Sequence, residues 1–357
     1  MNHIDRVLCA FEHKEPDKVP KGEWFIDPAL LNKLIGKTSG SHFIDLLHVW
    51  ELLNMDIKAT NVGYEIKEVL GEDEERRKIF KDCWGCVYKE SKIGLLTPAL
   101  LDSPIKNIDE VYEYEFPSLD EFKIDEVKMW TGKTDYFIFG VVSGGFERLT
   151  SLVGGFEKYM IYSKTKQKEL KYLIRKYTQY QAEVAKKYIR AGAHGIIIAD
   201  DLAYNSGPFL SPDSLREILF PYLKEEVLSI KDFKNVPIIF HSDGNITSLL
   251  DDIVKLGVDG VHPLEKHAGV DIGEVKRKYG DHLCLMGNID TNYTLPYGTP
   301  QEVEEEVRKL IEIAAPGGGF ILRASNLLTS DIPKVNVLAM YYAAEKYGVY
   351  KKAKTKD

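Results

Sequence analysis

The segment IIFHSDGN, Ile238 to Asn245, runs apolar residues into a histidine, a serine, an aspartate and a glycine. His241 and Asp243 are two positions apart, so in extended backbone both side chains leave the same face. An imidazole nitrogen and a carboxylate oxygen placed that way can share one cation, or hydrogen-bond to each other. The next apolar run, GVDGVHPLE, ends in Glu265, the expected third ligand. Three protein ligands with an open fourth position are the arrangement of catalytic zinc.

Other polar residues close their own apolar runs. Asp200 and Asp201 end GIIIADD. Adjacent strand residues point to opposite faces, so only one carboxylate enters a shared cavity, and Asp201 is expected inward as a catalytic group while Asp200 caps a turn. Glu147, a turn beyond Gly144-Gly145, is the second expected acid or base. Asp27, Thr60, Asn61, Ser143, Asn288, Asp290, Ser325 and Asn326 complete the set. Each taken singly also reads as a helix cap, because Asp, Asn and Ser satisfy free backbone amides at strand-to-helix turns. His262, His267 and His282 have no matching partner in the sequence, and surface or loop roles are expected for them.

The elements that position these groups follow an alternation of short apolar runs with longer amphipathic stretches. The runs are GEWFID (22–27), MDIKAT (55–60), YFIFGVVSG (136–144), GIIIADD (195–201), VPIIFHSDG (236–244), GVDGVHPLE (257–265), LCLMGNID (283–290) and GFILRASN (319–326). Ser211-Pro212 and Thr299-Pro300 are helix starts, a capping hydroxyl followed by proline at the first helical position. Eight such units give an α/β fold, a (β/α)8 TIM barrel, read as one domain over 1–357 with an N-terminal extension. Residues 62–130 are an excursion that holds a hairpin near 76–94, and 351–357 form a loose lysine-rich tail. Barrel loops at the strand C-terminal ends share one cavity, so the polar run ends converge there.

Bulk properties narrow the class. With 357 residues, 44% hydrophobic and 29% charged, the chain can bury a large core. A net charge of -8 disfavours a broad phosphate-binding surface, so no nucleic-acid partner is expected. No apolar run is long enough to cross a bilayer, and the N-terminus has no signal-peptide core, which points to the cytoplasm. Four cysteines make no disulfide framework, and Cys83-x-x-Cys86 has no second pair at zinc-binding spacing. The glycines at 317–319 lack the lysine and spacing of a phosphate loop and read as a turn.

The blocks FHSDGNITSLLDDIVKLGVDGVHPLE, MGNIDTNYTL with GTPQEVEEEV, GGGFILRASN and RVLCAFEHKEPDKVP resemble the uroporphyrinogen decarboxylase superfamily, built on a (β/α)8 barrel, over nearly the whole chain. The resemblance is nearer to its corrinoid-dependent methyltransferases than to true uroporphyrinogen decarboxylase. In place of the decarboxylase's arginine-rich N-terminal motif stands PKGEWFIDPALL; Leu152 falls opposite its catalytic tyrosine, 324–326 opposite a late histidine, and Asp56 opposite its substrate-binding aspartate. In the methyltransferase branch zinc is bound by H-x-C and a later cysteine. Here His241 fills the histidine position, while Asp243 and Gly318 stand at the cysteine positions. Carboxylate in place of thiolate makes a bound metal a stronger Lewis acid, which suits a departing oxygen or nitrogen.

The resemblance therefore implies methyl transfer from a small O-methyl or N-methyl donor, such as a methoxylated aromatic, to cobalamin carried by a separate corrinoid protein. Zinc would be held by His241, Asp243 and Glu265, with Asp201 and Glu147 catalytic. Trp24, Phe25, Asn61, Phe146, Tyr204, Asn288 and Asn326 are expected to line the donor site. Uroporphyrinogen decarboxylation is the alternative, and a non-catalytic ligand-binding barrel the third reading. Oligomeric state is left open.

Overall fold

The computed structural model describes residues 1–59, 66–91 and 94–350, the side chains of 94–97 aside. Eight parallel strands form the barrel sheet in chain order: β1 (Gly22–Glu23), β2 (Ile57–Ala59), β3 (Phe137–Ser143), β4 (Gly195–Ala199), β5 (Ile238–His241), β6 (Gly260–His262), β7 (Cys284–Ile289) and β8 (Phe320–Ala324). Every expected run supplies one of them. Alternate residues of the strands point inward, and Ile57, Phe137, Phe139, Val141, Ile197, Ile239, Cys284, Met286 and Ile321 fill the interior. The residues between them face the helices. The helix His3–Phe11 packs its Val7 and Ala10 against that interior cluster at the N-terminal end of the barrel.

β1 is short, and side chains complete the closure between β8 and β1. Lys21 bridges Leu322 in parallel, and Leu322 N donates to Pro20 O at 2.9 Å. The buried Glu23 carboxylate accepts from Ala324 N at 2.9 Å, Arg323 Nε at 3.0 Å and the Tyr341 hydroxyl at 2.8 Å.

The excursion after β2 contains a four-stranded antiparallel sheet, Ile66–Glu72, Lys78–Asp82, Val87–Ser91 and Gly94–Asp102, in which the expected hairpin supplies the central strands. Gly85, at φ +87°, makes its tight turn. The sheet stands against the helix after β3: Arg148 reaches Asp82 at 3.0 Å, and Ser103 Oγ donates to Ser151 O at 2.6 Å. It thereby walls one side of the barrel mouth. The cysteines are free thiols, and burial pushes Cys86 up to about 12, which leaves it an unreactive packing group. Among the described residues no helix is long and apolar enough to cross a membrane. Thr60, Asn61 and the 351–357 tail lie outside the described residues.

Candidate metal centre at the barrel mouth

His241 is the last residue of β5, and parallel pairing sets it opposite Ala199 of β4 and His262 of β6. Paired residues in parallel strands project the same way, so the two imidazoles lie side by side. Their rings stack at 4.9 Å and their Nδ1 atoms are 2.7 Å apart. His241 Nε2 is thereby turned towards the loops after β4 and β5.

Two carboxylates meet it there. Asp201 Oδ1 lies 3.6 Å from His241 Nε2, and Asp243 Oδ1 lies 3.7 Å from it. Asp201, His241 and Asp243 form a trio whose ligand atoms all fall within 4.8 Å of one another. Around a tetrahedral zinc with bonds of ~2.1 Å, neighbouring ligand atoms are ~3.4 Å apart. The two separations from His241 Nε2 are within a few tenths of an ångström of that value. Asp243 Oδ1 is buried with no hydrogen-bond partner, while Oδ2 is held by Asn326 Nδ2 at 2.7 Å. A buried, unpaired carboxylate oxygen beside a second carboxylate and a free imidazole nitrogen is a donor set that could hold a cation.

Local sequence explains the convergence. Gly244, at φ +82°, turns the chain so closely over Ala203 that a Cβ would sit 2.6 Å from its carbonyl carbon. That turn brings Asp243 N within 2.8 Å of Asp201 Oδ1. Ser242 Oγ accepts from Leu202 N at 2.9 Å and binds the β4 and β5 loops together. Asp200 faces away from the trio. It is fully buried and accepts from Phe146 N and Glu147 N at 3.0 and 2.8 Å, capping the loop after β3 rather than its own. Gly144 leaves room for it, since a Cβ there would stand 2.4 Å from Asp200 Oδ2.

Burial and charge crowding displace the protonation equilibria of these groups. Burial, then the charges of Asp201 and Glu265, raise Asp243 to about 8. Burial lowers His241 to about 4, against the pull of Asp201 and with help from Arg323. His262 is pushed well below the ordinary range by burial, Arg323 and His241. Both imidazoles are neutral at pH 7, the form that binds metal. Glu147 opens onto solvent at the mouth, yet desolvation and, next, Asp201 raise it to about 7.

The remaining expected residues divide. Glu265 is outside the trio; its Oε2 accepts from Gly244 N at 2.7 Å and so supports the turn that carries Asp243. Trp24 contacts both imidazoles, at 4.7 and 4.8 Å, and the Arg323 guanidinium lies 4.6 Å over its ring. Phe25 is half-buried next to it in the chain. Phe146 stacks on Phe209 at 5.9 Å, and Phe209 stacks on the exposed Tyr204 at 5.5 Å, an aromatic row from the interior to the rim. Asn288 donates to Leu264 O at 2.6 Å and lines a separate groove of about 760 Å³ beside helix Pro300–Ala314. Asp27 caps helix Pro28–Ile35. Asp56 lies at the opposite end of the barrel, ahead of β2, where Arg6 at 2.5 Å and His3 at 2.8 Å hold it, too far from the mouth for substrate.

His262 corrects the expectation of a surface or loop role, because it is buried inside the site. Its position was recoverable: IIFH and GVH each end a neighbouring strand in histidine. Phe209 was overlooked because it sits in a loop excursion beyond β4.

A (β/α)8 barrel with an Asp-His-Asp trio at its C-terminal mouth is the architecture of an enzyme. The chain belongs to the uroporphyrinogen decarboxylase (URO-D) family, which matches residues 93–347. A uroporphyrinogen decarboxylase of Chlorobaculum parvum is 30% identical over 283 residues, covering 78% of this chain and 70% of the relative. One of Chlorobium luteolum is 33% identical over 177 residues, covering 49% of this chain and only 45% of the relative. Among solved structures, a methyltransferase from Methanosarcina mazei superposes with a TM-score of 0.76 at 22% identity, covering 97% of this chain and 99% of that one. A B12-independent methionine synthase from a Shewanella species superposes at 0.51 with 16% identity, covering 92% of this chain and 96% of that one. At these identities the two structures share the fold.

Proposed function

We propose that this chain moves a methyl group from a small O-methyl or N-methyl donor to the cobalt of a separate corrinoid protein, with zinc held by Asp201, His241 and Asp243. The observation that carries the reading is the unpaired Asp243 oxygen facing a neutral imidazole and a second carboxylate at the barrel mouth. Asp201 takes the third ligand position in place of Glu265, because its carboxylate falls within the trio around His241 Nε2 and that of Glu265 does not. When bound there, the cation supplies Lewis acidity to the departing oxygen or nitrogen.

The protein's own groups do the rest. The aromatic row of Phe146, Phe209 and Tyr204 orients a ring-bearing donor. The carbon–oxygen bond breaks with its electron pair left on oxygen, while the methyl carbon takes a pair from cobalt. Glu147, raised to about 7, holds a proton it can pass to that oxygen. Asn326 keeps Asp243 aimed at the site.

The decarboxylase reading draws support from the names of the curated relatives. Against it, a polycarboxylate would meet Asp201, Asp243, Glu265 and Glu147 at the mouth, and Arg323, beneath Trp24, is already neutralised by Glu23. The experiment incubates zinc-loaded protein and cobalt(I) cobalamin with a panel of methoxylated aromatics and methylamines and follows the cobalt absorbance. Methylation of cobalt with at least one donor is expected. No methylation across the panel, together with turnover of uroporphyrinogen, would reverse the reading.

A further inference from the structure

We infer that His262 is a positioning residue: through its Nδ1 it holds His241 Nδ1 and so presents His241 Nε2 to the cation between Asp201 and Asp243. This inference deepens the proposed metal site, and its zinc measurements rest on that reading.

Three observations carry it. The Nδ1 atoms are 2.7 Å apart, a distance that requires one proton between two ring nitrogens. When a cation takes the His241 Nε2 lone pair, the ring's proton must reside on Nδ1, so His262 Nδ1 is the acceptor and the His262 proton moves to Nε2. That Nε2 has no hydrogen-bond partner, so Nδ1 is the ring nitrogen of His262 that is engaged. Trp24 packs against both rings, and Arg323 lies on Trp24, so neither imidazole can turn freely. A ligand histidine whose other nitrogen is held by a neighbour has its tautomer and ring plane set in advance. Here the neighbour is a second imidazole, fixed by the register of β5 and β6.

The test compares parent protein with His262→Phe, which keeps the ring packing but has no acceptor, and His262→Asn, whose amide oxygen falls near the Nδ1 position. Zinc affinity is measured by calorimetric titration at pH 7.5, the cobalt(II) form by its visible spectrum, and the fold by circular dichroism. His262→Phe is expected to bind zinc about 10- to 100-fold more weakly with an altered cobalt(II) spectrum, and His262→Asn to recover most of the loss. Equal affinity in parent and His262→Phe would overturn the inference. A separate measurement needs no metal: in protein labelled with 15N-histidine, a scalar coupling through the hydrogen bond should join the two Nδ1 atoms. Its absence would overturn the inference whether or not zinc binds. If the parent binds no zinc while the coupling is present, the metal reading under Proposed function fails, and the coupling sustains the aiming of His241.

Discussion

Replacing Asp243 by asparagine should have opposite consequences with and without metal. In metal-free protein at pH 7, Asp243 carries a folded-state value of about 8 against an ordinary 3.8. A group whose folded value is raised lets the unfolded chain lose its proton first, so it opposes folding as pH rises from about 4 towards 8. At pH 7 the gap of roughly three units, at about 1.4 kcal/mol each, sets an upper limit near 4 kcal/mol. Partial solvent access at Asp243 and the share of repulsion carried by Asp201 reduce this to on the order of 2 kcal/mol. Asparagine removes the charge and can still accept from Asn326. With an unfolding entropy of about 0.75 kcal/mol/K for a chain this long, Asp243→Asn should melt about 3 °C higher than parent in chelator at pH 7, and no higher at pH 4.

Zinc reverses the order. At a hundredfold excess over its dissociation constant, zinc should stabilise the parent by about 2.7 kcal/mol, or about 4 °C, and the variant by much less. Differential scanning calorimetry at both pH values, with chelator and with zinc, measures all four quantities. The reasoning is refuted if Asp243→Asn melts lower than parent in chelator at pH 7, or keeps the full zinc shift.

Other substitutions test the remaining parts of the site. Glu147→Gln should slow methyl transfer 10²- to 10⁴-fold for donors with basic leaving groups. Parent activity should fall above about pH 7 as Glu147 loses its proton, or somewhat lower once a cation offsets Asp201, and the variant should lack that limb in a pH–rate profile. Glu265→Gln, which keeps an oxygen for Gly244 N–H, should change zinc affinity less than threefold by titration, whereas Asp201→Asn should weaken it at least tenfold. Arg323→Met strands the buried Glu23 and should cost about 3–5 kcal/mol, a fall of about 4–7 °C in Tm, with the double variant Glu23→Gln/Arg323→Met losing less.

The barrel was legible because each strand is a compact apolar run and several helices carry a start signal, as Ser211-Pro212 does and as Thr299-Pro300 does in its capping box. The four-stranded sheet was only half legible: its central turn has a clear glycine, but its outer strands lack a strict alternation. At the mouth, His241 and Asp243 are neighbours in sequence, and their shared face follows from strand geometry. Which third carboxylate lies beside them depends on how the loops after β4 and β6 fold over the mouth, and that is a property of the tertiary structure rather than of the strand pattern. His262 was hidden by the proline after it, which makes a strand end look like a loop. Asp200 was readable as a cap, but not as the cap of the neighbouring β3 loop, because that contact spans 53 residues of chain.

The helix His3–Phe11 seals the floor of the barrel, and the interior above it is packed solid. Among the described residues, traffic therefore has one doorway. If a bulky acceptor protein seats over that doorway, the small donor must enter beforehand and its demethylated remnant must wait for departure, an obligatory order that steady-state kinetics would display as a compulsory-sequence pattern.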